Sequence, residues 1–198
     1  QMSTMAVFGR ASRISAATPE SPQTYYGSSK LKADKELLAM SDREFKAAII
    51  RPPMAYGGGM APGNMLRLIR LVNRHIPLPF GSARNSRDFI NVKNLIEFLH
   101  LAVEKEADGV FYPTDKEPYS TRNVVEEISR QLGVHTVNLP SPSIFLKLIE
   151  KVRPDLYQKL WGDVVIDRQL ALSAIGYEPR YTLEDGIREM VESFKQRK

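Results

Sequence analysis

The sharpest chemical feature of the chain is Tyr26-Gly27-Ser28-Ser29-Lys30. A phenol ordinarily titrates near pH ~10 and is a poor base in neutral water. An ammonium beside it favours the phenolate and brings that value down. Four residues apart on a helix, Tyr26 and Lys30 share one face. Together they form a unit able to take a proton from a carbinol or return one. The same spacing suits a surface tyrosine and lysine on an amphipathic helix, and Tyr-x-x-x-Lys alone does not choose between the two readings.

The elements that would hold this pair can be traced along the chain. Residues 2–8 read as a buried strand end stopped at Gly9, and residues 10–23 as loop. Residues 24–40 predict the helix of Tyr26 and Lys30, with Leu31, Leu37 and Leu38 toward a core. Residues 45–50 read as a short apolar strand halted by Arg51-Pro52-Pro53, since proline has no N–H for a ladder. After Gly57-Gly58-Gly59 and Pro62-Gly63, a flexible loop, a helix over 64–74 presents Met65, Leu68, Ile69 and Val72.

Further on, 87–92 predicts a strand, 93–104 a helix packing through Leu95, Ile96, Leu99, Ala102 and Val103, and Val110-Phe111-Tyr112 a strand. Ser120 is read as the cap of a helix with Val124, Val125, Ile128 and Leu132 inside and Gly133 at its end. Short helices over 143–151, 155–160 and 168–175 and a strand over 164–166 precede a last helix, opened by Thr182 and Asp185, with Leu183, Ile187, Met190, Val191 and Phe194 at helical spacing. Alternating strands and helices argue an α/β protein.

Composition narrows the function classes. The 198 residues are 42% hydrophobic and 26% charged, as in an ordinary globular chain. No apolar run approaches the ~20 residues of a membrane helix. The absence of cysteine excludes a disulfide scaffold, a thiolate metal site and a cysteine nucleophile, and fits a cytoplasmic protein. A net charge of +5 permits an anionic partner, but no aromatic-interleaved basic patch points to nucleic acid. His75, His100 and His135 lack metal-ligand spacing. Trp161, with Tyr157 and Leu160, reads as lobe core, and Arg67, Arg70 and Arg74 as a solvated helix face.

The order of motifs adds what no single motif carries. Ser3-Thr4-Met5-Ala6-Val7-Phe8-Gly9 comes first, followed by Thr18-Pro19-Glu20-Ser21-Pro22, the Tyr26 motif and Arg51-Pro52-Pro53-Met54-Ala55-Tyr56-Gly57. Gly63-Asn64-Met65, Pro77-Leu78-Pro79-Phe80-Gly81, Arg87-Asp88-Phe89-Ile90-Asn91-Val92 and Gly176-Tyr177-Glu178-Pro179 follow. Over nearly its whole length the chain resembles the extended short-chain dehydrogenase/reductase superfamily, in particular the NAD-dependent sugar-nucleotide epimerase/dehydratases.

That resemblance implies a set of roles. Tyr26 would take the proton of a sugar hydroxyl while hydride passes to NAD. Thr4 would assist it, and Lys30 would hold the nicotinamide ribose and lower the tyrosine pKa. Pro52, Pro53 and Ala55 would line the nicotinamide, while Thr4, Asn64 and Arg87 would contact the substrate. Asn64 and Arg87 would bind the nucleotide diphosphate, a task that suits a helix N-terminus and a guanidinium fork; for Arg87 the alternative is an ordinary surface salt bridge. The implied reaction is epimerisation at C4 of a nucleotide-activated hexose through a transient 4-keto intermediate. An NAD(P)-dependent keto-sugar or carbonyl reductase is the alternative, and a non-catalytic NAD-sensing protein a rival of another class. A homodimer through the Tyr26–Lys30 helix is the expected assembly.

The departures from the family pattern are informative. Where 4,6-dehydratases carry an Asp-Glu pair after the Thr4 position, this chain has Met5-Ala6, which cannot transfer protons. The asparagine many 4-epimerases place after the second strand is Met54 here. The glycine fingerprint that seats a dinucleotide's pyrophosphate at a helix N-terminus is not in the sequence. The expectation is therefore the C-terminal part of a Rossmann-like parallel sheet plus a smaller mixed α/β substrate-binding lobe, inactive alone. Residues 1–60, with 93–112 returning, would form the Rossmann part, and 61–92 and 113–198 mainly the lobe.

Overall fold

A computed structural model describes residues 1–59, 63–172 and 175–196. By internal packing the chain divides into two compact units. The first comprises Gln1–Ala55, Asp88–Glu117 and Val164–Arg180; the second comprises Tyr56–Arg87, Pro118–Asp163 and Tyr181–Lys198. Among the described residues no helix is long and apolar enough to cross a membrane.

The first unit carries short strand pairs, two of them parallel. Strand β1 (Arg13–Ile14) pairs with β6 (Val165–Ile166), and β2 (Ala48–Ile50) pairs with β5 (Gly109–Phe111) in the register Ala48↔Gly109, Ile49↔Val110 and Ile50↔Phe111. Strand β3 (Met54–Tyr56) pairs with β4 (Phe89–Asn91). Strand β2 starts later than expected because Asp42 folds the chain before it, its Oδ1 accepting from the amides of Glu44 and Phe45, both at 2.8 Å. The ladder runs one residue past β2, Arg51 N–H donating to Phe111 C=O at 2.8 Å, and ends where Pro52 and Pro53 have no N–H to give.

Two expectations fail near the N-terminus, for local reasons. Residues 2–8 are not a strand: Met2 makes a single parallel bridge to Ile50, and Met5–Phe8 is a turn of 3-10 helix. The Thr4 hydroxyl accepts from the Ala6 amide and thereby caps that turn, offering the backbone an alternative to a ladder. The expected loop 10–23 contains β1, whose one buried side chain, Ile14, is too little to register as a pattern.

The helices follow the sequence more closely. Helix α1 spans Tyr25–Met40 and α3 spans Val92–Glu104. On α3 the buried arc is Asn94, Leu95, Phe98 and Ala102. Ile96 and Val103, expected inside, lie on the opposite side and are exposed. Phe98 is central: it packs edge-on to Tyr177 at 5.0 Å and against Phe111 at 5.9 Å, within a core that includes Ile50, Ile90 and Leu95. A second core joins Val7, Phe8, Ile14, Leu31, Ile166 and Ala171. Helix α7 covers Arg168–Leu172, and the rest of the expected 168–175 helix partly lies outside the described residues.

The second unit is mainly helical. Helix α4 (Thr121–Leu132) packs against α2 (Asn64–Asn73) and α8 (Leu183–Gln196). Each contributes an apolar stripe: Met65, Leu66, Ile69 and Val72; Val124, Val125, Ile128 and Leu132; Leu183, Ile187, Met190 and Val191. Ser120 and Asn123 cap α4 reciprocally, and Gly133, left-handed at φ 68°, ends it. Helices α5 (Ser143–Val152) and α6 (Pro154–Leu160) pack together, and Trp161 beyond them packs on Phe80 and Tyr157.

Candidate active site

In the first unit the structure sets Tyr26 and Lys30 on α1, beside the segment that carries Thr4. The helix begins cleanly because Thr24 caps it, its hydroxyl accepting from the Gly27 amide at 3.1 Å. Gly27 then permits a close approach: a Cβ there would meet the Ala6 carbonyl oxygen at 2.6 Å. No side chain larger than hydrogen allows α1 to sit this near the Met5–Phe8 turn, and Thr4 is the residue that opens that turn.

The polar groups here are accessible. Tyr26 is 57% exposed. Lys30 Nζ donates to the Met2 carbonyl at 3.0 Å, which spends one of its three hydrogens and draws the ammonium toward the Thr4 segment. Thr4 Oγ1 accepts from the Ala6 amide at 3.2 Å, so its hydroxyl hydrogen is left to donate. Past the prolines, Pro53 is buried while Met54 and Ala55 are exposed.

The second unit carries the other two candidates. Asn64 opens α2 after Gly63, which supplies no side-chain cap. Arg87 is half-buried, and its Nη1 donates to the carbonyls of Gln158 and Gly162, each at 2.7 Å. One nitrogen of Arg87 is thus committed to backbone carbonyls. Burial lowers its pKa from the ordinary arginine value, and Asp163 partly offsets this. Asp163 also accepts from the Ser86 amide at 2.8 Å.

Sequence reasoning passed over the buried polar residues that hold these segments. Asp88, next to Arg87 in sequence, belongs to the first unit, where it pairs with Arg168 and accepts from the Ile166 amide at 2.7 Å. Burial raises its pKa despite those partners. Asp115 accepts from the Asn91 amide and from Asn94 Nδ2 at 2.9 and 2.7 Å. Asp34, on α1, is fully buried against Ser3 and Arg51. A usable signal existed for Asp34, which is one turn beyond Lys30 on the same helix face.

Comparison with known proteins agrees with this architecture. Residues 1–112 match the model of the NAD dependent epimerase/dehydratase family. A UDP-glucose 4-epimerase of Vibrio cholerae is 34% identical over 181 residues, covering 88% of this chain and 55% of that protein. The chain spans about half the length of the curated relatives it matches. Among solved structures, UDP-glucuronic acid 4-epimerase from Bacillus cereus in complex with NAD superposes with a TM-score of 0.75 at 22% identity, over 98% of this chain and 60% of that one. RMD from Pseudomonas aeruginosa complexed with NADPH also gives 0.75, at 17% identity, over 100% of this chain and 65% of that one.

Proposed function

The chain belongs to the NAD dependent epimerase/dehydratase family, and from that premise we propose that it serves epimerisation at C4 of a uridine diphosphate hexose. The observation that carries this reading is the Tyr26–Lys30 pair on α1, brought close by Gly27 to the turn that Thr4 opens. In it, Tyr26 takes the proton of the C4 hydroxyl and later returns one to the sugar oxygen. Thr4 donates its hydroxyl hydrogen to the same sugar oxygen.

The donor set fits the nicotinamide end of NAD. Lys30 keeps hydrogens for ribose hydroxyls, and the exposed backbone at Met54 and Ala55, stiffened by Pro52 and Pro53, offers a fixed edge to a planar ring. Bound NAD supplies reversible hydride acceptance. Asn64 and Arg87 are assigned to the diphosphate. With Arg87 Nη1 committed to two carbonyls, the Nη2–Nε edge is the part left for phosphate oxygens. Met5 and Ala6 offer no acid or base, which disfavours elimination of water.

The test is Tyr26→Phe in the full-length protein, assayed for interconversion of uridine diphosphate hexoses. Loss of the general acid/base lowers kcat by ~10²–10⁴-fold with the melting temperature unchanged. Undiminished turnover would overturn the assignment. The same proton-transfer residues would also serve a second reading, reduction of a keto-sugar. Product analysis separates the two, because epimerisation consumes no net NADH and reduction consumes one per turnover.

A further inference from the structure

Resting on the proton-transfer reading of Tyr26, Lys30 and Thr4, we propose that Asp34 is a positioning residue for that transfer. Tyr26, Lys30 and Asp34 fall at successive one-turn steps along α1 and share a face. Asp34 is 0% exposed, and among the described residues a single oxygen, Oδ2, takes its polar contacts: hydrogen bonds from Ser3 Oγ at 2.6 Å and Arg51 Nε at 3.0 Å, and the ion pair with Arg51 Nη2 at 3.0 Å. Ser3 immediately precedes Thr4, and Arg51 immediately precedes Pro52. One carboxylate oxygen therefore ties together the three segments that carry the proton-transfer and nicotinamide-lining candidates.

Two details separate this from an ordinary buried ion pair. A guanidinium–carboxylate pair frequently uses both oxygens in a fork. Here Oδ1 is buried with no partner among the described residues. The carboxylate gives up that fork to bring Arg51 and Ser3 to one point. The Ser3 bond also adds nothing to charge balance. Arg51 has a second carboxylate, Glu20, at 2.7 Å, and its guanidinium lies over the Phe8 ring at 5.5 Å. What the Ser3 bond does is set the position of residues 2–4 against α1. The neighbouring Lys30–Met2 bond does the same one turn earlier. The two bonds hold consecutive residues, Met2 and Ser3, to one helix face, and Thr4 is next in the chain.

The test is steady-state kinetics of the full-length protein with Ser3→Ala, Ser3→Thr, Asp34→Asn and Tyr26→Phe, each with its melting temperature. Ser3→Ala leaves the Asp34–Arg51 pair in place, so it carries the test even where Asp34→Asn fails to fold. Mispositioning by a fraction of an ångström is expected to lower kcat about 10-fold for Ser3→Ala, with KM for the sugar nucleotide held within about 2-fold and the protein fully folded. Ser3→Thr restores the hydroxyl and most of the loss. Asp34→Asn lowers kcat by up to ~10²-fold, and adding Ser3→Ala to it costs little more, because both act through one bond. Wild-type kcat in Ser3→Ala while Tyr26→Phe is inactive overturns the positioning role alone. So does a loss of kcat that only tracks the folded fraction. Turnover retained in Tyr26→Phe overturns the reading on which the proposal stands.

Discussion

At Gly27 the intrinsic preference of a helix and the demands of a close contact pull in opposite directions. Alanine is favoured over glycine inside a helix by ~1 kcal/mol. A methyl group at this position would nevertheless sit 2.6 Å from the Ala6 carbonyl oxygen and 3.1 Å from Pro22 Cβ. A backbone carbonyl cannot swing aside as a flexible side chain can, so overpacking, at ~1–3 kcal/mol, outweighs the propensity gain. Gly27→Ala is therefore expected to lower the melting temperature by several degrees and to reduce turnover by pushing α1 away from the Thr4 turn. A raised melting temperature in a thermal scan would mean that this contact relaxes freely. The glycine was visible in the Tyr26 motif, but its purpose was not, because the group it avoids lies twenty-one residues earlier in the chain.

At the scale of elements, capping decides where helices begin and ties one of them to pH. Thr182 and Asp185 cap α8 reciprocally: Asp185 accepts from the Thr182 amide at 3.0 Å and hydroxyl at 2.8 Å, and its own amide donates to Thr182 Oγ1 at 3.3 Å. The bond from the Thr182 amide, then that from its hydroxyl, and further Arg188, hold the Asp185 carboxyl below the usual carboxylate range. Since its pKa is lower in the folded chain than in the unfolded one, the stability it adds is complete above the ordinary carboxylate value. That stability is lost as pH falls through the folded value. Asp185→Ala should cost about 1 kcal/mol at neutral pH and flatten the acid limb of a melting-temperature profile. A variant whose acid limb matches the wild type would assign that limb to other carboxylates. Such caps are local and were legible in sequence, as with Ser120, whereas Ile96 and Val103 were misassigned because only the partner of α3 decides which arc is buried.

At a larger scale, the first unit is built on two separate cores, one around Phe98 and one around Val7, Phe8 and Ile14. Phe98 is fully buried among Tyr177, Phe111 and the side chains of β2, β4 and α3. Phe98→Ala removes that filling and is expected to cost ~3–5 kcal/mol in urea denaturation. A loss under about 1 kcal/mol would mean that the surrounding residues collapse into the space. The helices of the second unit repeat the same logic with shorter side chains, and their stripes could mostly be read from 3.6-residue spacing, although on α2 Leu66 is buried where Leu68, only half-buried, was expected.

Local chemistry was available from the chain of residues alone. Tyr26 and Lys30 at i and i+4, the caps at Ser120 and Thr182, the strand-ending prolines after Arg51 and the alternation of strands and helices are near-neighbour facts, since helix periodicity, capping and missing amides act over a few residues. Folding decided which distant groups meet. It put Asp34 at 0% exposure against Ser3 and Arg51, turned residues 5–8 into a capped turn instead of a strand, and committed half of Arg87 to the carbonyls of Gln158 and Gly162. A buried charge is tolerated only where its partner lies close, and partners seventeen, thirty-one or seventy-five residues away leave no periodic trace in the sequence.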